Sequence, residues 1–352
     1  MASPYLRPMC ARCGRNAELT CSGCKNAPPV DGDVKIVYYC SPKCQKEDWQ
    51  HDKGICKRLQ TRKGLYRAGS VLQEIFYMYR EKLYEKFYVK IEKSEGRLVL
   101  YEGQYSLSTP FITAPTDCLI PFPETLCQTA EDKKSILVHL SCDDASAWLH
   151  EVLMYILVDI AVSIEEVRCV PKNKKLVITH VHPDQTRQDP NFEHEIIKVK
   201  LQNGGEEYAL DFSGAQDGYF EPVIPWWKYV ESRVANFASR QGFDYFGGLF
   251  DILRSMSGRN NVVEILLTLN VEWSRALLHG TKSWEAESKI GICSMLKLPF
   301  PQFKIKEKLL VDHIASKIVW YHERQREKKK KARVKVGYGT PAWIARHSRK
   351  KK

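Results

Sequence analysis

Eight residues near the start of the sequence, Cys10, Cys13, Cys21, Cys24, Cys40, Cys44, His51 and Cys56, are spaced for metal ligation. They form four close pairs, Cys-x2-Cys twice, then Cys-x3-Cys and His-x4-Cys, and each pair can chelate from a single turn of chain. Two residues between cysteines let a tight turn aim both sulfurs at one ion, while gaps of three or four residues suit one turn of helix. Eight ligands make two tetrahedral sets, so two Zn2+ are expected, one held by four cysteines and one by three cysteines and a histidine. The rival reading is a disulfide framework. It would need an oxidising compartment, whereas the sequence begins Met-Ala-Ser-Pro without an apolar signal segment and the cluster holds an odd number of cysteines, seven. An intracellular location, nucleus or cytoplasm, is expected.

The run Tyr-Tyr-Cys-Ser-Pro-Lys-Cys-Gln-Lys-Glu-Asp-Trp-Gln-His-Asp-Lys at 38–53 resembles the second half of a MYND-type zinc finger. The two Cys-x2-Cys pairs complete it, so the resemblance covers residues 10–56. It implies an interleaved arrangement in which Cys10, Cys13, Cys40 and Cys44 hold one zinc while Cys21, Cys24, His51 and Cys56 hold the other. It also implies a module that binds other proteins, often through short proline-containing peptides, with Trp49 and Gln45 as contact positions. The fifteen residues between Cys24 and Cys40 exceed the family's usual gap, and Pro28, Pro29 and Gly32 mark a turn-rich loop there. A unit of about fifty residues buries too little apolar surface to stand alone, so the metals should supply much of its folding free energy. The order of finger, helix and body resembles fungal MYND-finger proteins.

A second chemistry is open to Cys142, His194 and Asp211. A cysteine at a helix start followed by His and Asp on adjacent strands resembles the core of transglutaminase-like and papain-like cysteine enzymes. A neighbouring imidazole oriented by a carboxylate would generate the thiolate. Against this stand Asp143 and Asp144, whose charges would raise the thiol's pKa, and the want of an identifiable oxyanion donor. A SET-type methyltransferase, divergent in sequence, is a further alternative, although no Asn-His-Ser-Cys run follows the finger and Glu206-Glu207 reads as solvated turn acid. His180-x-His182 sets two imidazoles on one face of a strand, but with no further ligand nearby they read as exposed polar residues. The stretch 211–219 with Pro225-Trp226-Trp227 reads as a loop anchored in the core by its aromatics.

Charge is concentrated at the end of the chain. Of 54 Lys and Arg and 42 Asp and Glu, thirteen basic residues and one acid, Glu327, lie in 324–352, which accounts for the whole formal excess of +12. The remainder is neutral, so the basic pI of about 9.0 reports a tail and not a nucleic-acid-binding face. The run from Arg324 to Lys335 resembles a nuclear-import signal. The finger lacks the base-reading helix of two-cysteine, two-histidine modules, so no sequence-specific nucleic acid is expected, and no apolar stretch reaches membrane-spanning length.

The elements between finger and tail follow from hydrophobic period. Three-and-four spacing predicts helices at 64–88, 145–160, 229–238, 262–278 and 306–326. Strands are expected at 89–91 and 98–101, forming a hairpin, and at 175–181, 194–201 and 207–212, the last two joined by Gln202-Asn203-Gly204-Gly205. Residues 110–123 read as a Pro-containing loop. The fold class is therefore α+β, a small two-zinc finger (1–60), a body of helices around an antiparallel sheet (61–323), and a basic tail (324–352). The function read from these features is zinc-dependent protein–protein interaction of an adaptor or regulatory kind, with the cysteine enzyme or the methyltransferase as alternatives.

Overall fold

A computed structural model describes residues 8–30, 37–104, 115–188, 191–238 and 245–335. In the finger, strand β1 (Leu19–Thr20) pairs antiparallel with β2 (Tyr38–Tyr39). Helix α1 follows at once and runs unbroken over Pro42–Lys82. Ser41 caps it, its hydroxyl accepting from the Cys44 N–H at 3.2 Å, and Pro42 supplies a first-turn residue that needs no hydrogen-bond acceptor.

The helix expected to begin at Gly64 therefore begins in the finger, and position 60 lies inside a continuous helix. Leu65, Ala68, Leu72, Ile75, Phe76 and Tyr79 recur at three-and-four spacing and are fully buried in the main core. Three buried arginines of α1 fix it to the rest of the molecule. Arg62 grips Glu206 with two guanidinium nitrogens, the Nε–Oε2 distance being 3.0 Å, and donates to the Pro28 carbonyl at 3.0 Å. Arg67 donates to the carbonyls of Leu296 and Leu298 at 2.7 and 2.6 Å. Arg80 pairs with Asp144 and Glu85, each at 2.9 Å.

After α1, strands β3 (Tyr88–Ser94) and β4 (Arg97–Glu102) form the expected hairpin, and β6 (Val177–Val181) joins β4 in parallel. Helices α2 (Ala130–Leu137), α3 (Cys142–Trp148) and α4 (His150–Leu157) lie between. The second sheet has the order β10-β5-β7-β8-β9 and is antiparallel throughout, built from β5 (Ala161–Pro171), β7 (His194–Leu201), β8 (Glu207–Leu210), β9 (Val223–Pro225) and β10 (Val234–Phe237). The β7–β8 turn uses Gly204 at φ +91°, and that glycine also admits the Arg58 side chain of α1 against the turn. Helices α5 (Trp226–Arg233), α6 (Gly248–Ser255), α7 (Val262–Ser288), α8 (Ile292–Met295) and α9 (Phe300–Lys335) complete the body, with Phe303, Leu310, Ile314 and Ile318 of α9 buried in the main core.

The class is α+β as expected, with several differences in detail. The helix read at 145–160 starts at Cys142 and is divided at Leu149. The helix read at 229–238 ends at Arg233, after which Val234–Phe237 pairs with β5. Strand β5 itself is eleven residues long and half-exposed along most of its length, so its apolar residues do not alternate cleanly with polar ones. One sheet contains a parallel pair, so the body's sheets are not all antiparallel. Of the Pro-containing loop, 110–114 lie outside the described residues, while Pro115–Cys118 forms a 3-10 turn. The last seventeen residues of the basic tail also lie outside them.

Glu206 is not a solvated turn acid. It is the counter-charge of a fully buried arginine, so Arg62→Met should destabilise the protein by about 3 kcal/mol by leaving Glu206 without its main partner. Urea denaturation reads this as a lowered midpoint at unchanged slope.

Candidate functional site

The finger's first cysteine pair sits on a tight turn in which the Gly14 N–H donates to the Cys10 carbonyl at 2.9 Å and Gly14 adopts φ +71°. The third pair straddles the start of α1. Together they bring Cys10, Cys13, Cys40 and Cys44 within 4.8 Å of one another. The separations Cys13–Cys40, Cys40–Cys44 and Cys44–Cys13 are 3.5, 3.6 and 3.8 Å. Four sulfurs about 2.3 Å from a tetrahedral zinc lie roughly 3.8 Å apart, so the spacing suits the ion. All twelve cysteines are free thiols, not disulfides.

The second group contains Cys21, Cys24 and Cys56, with Cys21 and Cys56 sulfurs 3.4 Å apart. The Gln60 amide donates to the Cys56 sulfur at 3.0 Å, an outer hydrogen bond of the kind that stabilises metal-bound thiolates. His51 is not brought to this group. Its side chain is 80% exposed, with Nδ1 3.6 Å from Asp48. The reason is helical phase: five residues along an α-helix turn through about 500°, placing His51 about 140° around α1 from Cys56. The residue one turn before Cys56 is Asp52, which is buried but packs beside Tyr39. A His-x4-Cys spacing thus does not put both side chains on one face.

Residues 10–56 match the family model described as MYND finger. This segment is a MYND finger. No curated protein and no solved structure matches the chain. The MYND finger, with its two cysteine groups, fits two zinc ions. Gln45, directly after Cys44, and Trp49, the contact positions implied by the resemblance, are half-buried on the first turns of α1.

In the body, the structure also brings together Cys142, His194 and Asp211. Cys142 is the first residue of α3, His194 the first of β7, and Asp211 directly follows β8. His194 Nε2 lies 3.0 Å from Asp211 Oδ1, and both side chains are almost wholly buried. Asp211 also accepts from the Tyr229 hydroxyl at 3.0 Å, with Arg233 at 3.9 Å. The carboxylate packs so closely under Gly214 that a Cβ there would sit 2.8 Å from Oδ2, so the Asp-x-x-Gly spacing has a steric cause. On the ring's other side Nδ1 meets the Gln216 amide nitrogen at 3.1 Å, and the Gln216 carbonyl accepts from the Leu140 N–H at 3.0 Å.

The Cys142 thiol lines one cleft with this ring, its sulfur 3.9 Å from Asp143 Oδ1 and 4.0 Å from the Glu193 carbonyl oxygen. Burial alone would lower the pKa of His194, but Asp211 and the thiol hold it well above the usual imidazole value. Asp211 is held below the usual carboxylate value, the cost of burial being outweighed by His194, Arg233 and Tyr229. Gln216, Tyr229 and Arg233 were not singled out by spacing or residue type. Gln216 falls in the stretch read as a core-anchored loop, and Phe212 and Ala215 do anchor it there.

His180 and His182 differ from the sequence reading. His180 is buried, and Glu102 Oε2 reaches both rings, 3.2 Å from His180 Nε2 and 3.0 Å from His182 Nδ1. Parallel pairing of β4 with β6 supplies this third group, a long-range contact with no local sequence signal.

Metal analysis by inductively coupled plasma mass spectrometry should find two zinc ions per chain. Cys40→Ser and Cys56→Ser should each reduce this to about one by opening a ligand set. His51→Ala should retain both, because its side chain points away from the cysteines; loss of one ion would assign His51 to the second site.

Proposed function

We propose that the chain is an adaptor that captures a partner protein at its MYND finger and holds that partner in a fixed position relative to the body. The observation supporting this reading is the unbroken course of α1 from the zinc-ligating turn into the core. Interaction modules on flexible linkers recruit without orienting, whereas a helix shared by both parts transmits orientation. Side contacts reinforce the junction: Asn203 donates to the Thr61 hydroxyl at 2.9 Å, and Lys63 to the Lys25 carbonyl at 2.9 Å.

The half-buried Trp49, on the second turn of α1, offers an aromatic platform of the sort on which proline-containing peptides dock, because their extended helix is preformed and loses little entropy. The basic run at 324–352 supports delivery of the adaptor to the nucleus. Zinc's part is structural, holding the loops of the finger and the first turns of α1 in one arrangement.

Affinity capture with the full chain, compared with the Cys40→Ser variant, should recover a partner only with the intact finger. Trp49→Ala should keep both zinc ions and weaken capture by at least about tenfold, the scale of an interface hot spot. Recovery of the same partners by Cys40→Ser would refute the adaptor reading.

A further inference from the structure

We infer that Glu102, His180 and His182 bind a divalent first-row transition metal ion, separate from the two zincs of the finger, in a site that keeps coordination positions open to solvent. One ligand atom from each of these side chains falls within 4.8 Å of the others. Glu102 Oε2 faces both rings, 3.2 Å from His180 Nε2 and 3.0 Å from His182 Nδ1. Nitrogen and oxygen ligands about 2.1 Å from an ion lie roughly 3.0 Å apart at right angles and roughly 3.4 Å apart at the tetrahedral angle. Both separations fall within that span.

A carboxylate hydrogen-bonded to two imidazoles would account for the distances but not for the partners. His182 Nδ1 is in hydrogen-bonding geometry with Glu102, whereas His180 is nine-tenths buried and neither of its ring nitrogens has a hydrogen-bond partner. Nε2 is close to the carboxylate but out of line for a shared proton. Burying an imidazole in this way is costly. A metal ion takes the ring's lone pair directly and needs no proton between the two groups. Tyr88 packs edge-on against His180, with ring centroids 5.3 Å apart, and keeps the imidazole in place. Two imidazoles with one carboxylate suit zinc, iron, cobalt or nickel, whereas calcium and magnesium take oxygen ligands.

The backbone fixes all three ligands. Leu100 lies beside His180 in the parallel register of β4 and β6, so Glu102, two residues on and on the same face, comes level with His182. A slip of one residue would turn Glu102 to the other face of the sheet. His182 is pinned by a turn: its N–H donates to the Thr186 carbonyl and its own carbonyl accepts from the Gln185 N–H, both at 2.9 Å. The Gln188 N–H closes the turn onto the His180 carbonyl at 2.9 Å. The His182 and Glu102 side chains are 40% and 34% exposed, which gives an ion its way in. Lys86, whose positive charge opposes a cation here, has its ammonium engaged by the His139 carbonyl, and the single carboxylate halves the charge of a bound divalent ion. Structural zinc sites close with four protein ligands; three ligands with open positions mark an ion that can take an outside donor and exchange.

Such an ion leaves on desalting, so the purified chain keeps the two finger zincs and the third site is read by adding metal. Isothermal titration calorimetry of the desalted full chain with zinc chloride should show one further ion bound per chain. His182→Ala and Glu102→Gln, judged folded by circular dichroism and by retention of two zincs, should each weaken that binding by more than about a hundredfold, the upper end of what losing an outer-shell partner costs. A coordinated imidazole has no free lone pair for diethyl pyrocarbonate. In the wild-type chain, free zinc at about ten times the dissociation constant should therefore slow modification of His182 about tenfold, read by site-resolved mass spectrometry. The 80% exposed His51 should react at an unchanged rate. A third ion that is absent, or bound equally well by both variants, would overturn the assignment, as would equal modification of His182 with and without zinc; the last measurement depends on no variant folding.

Discussion

The burial of three arginines along α1 is the constraint on which the rest of the structure depends. A guanidinium cannot shed its charge, so each must find acceptors wherever the helix carries it. Arg62 and Arg80 are eighteen residues apart, five full helical turns, and so lie on the same face. One binds Glu206 at the β7–β8 turn and the other Asp144 at the start of α3. Arg67, in a different phase, binds the carbonyls that precede α9 and stacks over Phe303. Apolar residues could fill the same volume, but they would not specify rotation and height so sharply. The arginines act as register keys for a helix whose first turns carry zinc ligands.

This arrangement couples two ends of the molecule. The helix that carries Cys44 and Cys56 also carries Arg80, whose charge offsets Asp144 two residues from Cys142. Arg168 of β5 does the same for Asp143. Asp143 and Asp144 are thus part of the scaffold that holds α3 in place. The finger and the thiol cleft are therefore mounted on one frame.

What was legible in the sequence follows from how local each signal is. The cysteine pairs were legible because tight turns and one helical turn are set by neighbouring residues, and the seven cysteines fall into the two groups that the finger resemblance implied. His51 lies apart from the second cysteine group, because a five-residue step looks close in sequence and lies far around a helix. His194 and Asp211 were readable from strand pattern and a glycine turn. Arg80 and Arg168, which pair with the acids beside Cys142, and Gln216, which meets His194 Nδ1, stand 62, 26 and 74 residues away from that cysteine, and spacing carries no trace of them. Glu102 joined His180 only through a parallel strand pairing. The missed strand β5 lacks the alternation that marks a strand with one face in water.

Amide hydrogen exchange of the zinc-loaded protein tests the single-frame arrangement most directly. Protection should run without a gap from Cys56 through Leu65, and chelation of zinc should release the first turns of α1 while residues 65–82, deep in the core, stay protected. Rapid exchange at 57–64 in the metal-loaded protein would reveal a hinge between finger and body and contradict the arrangement.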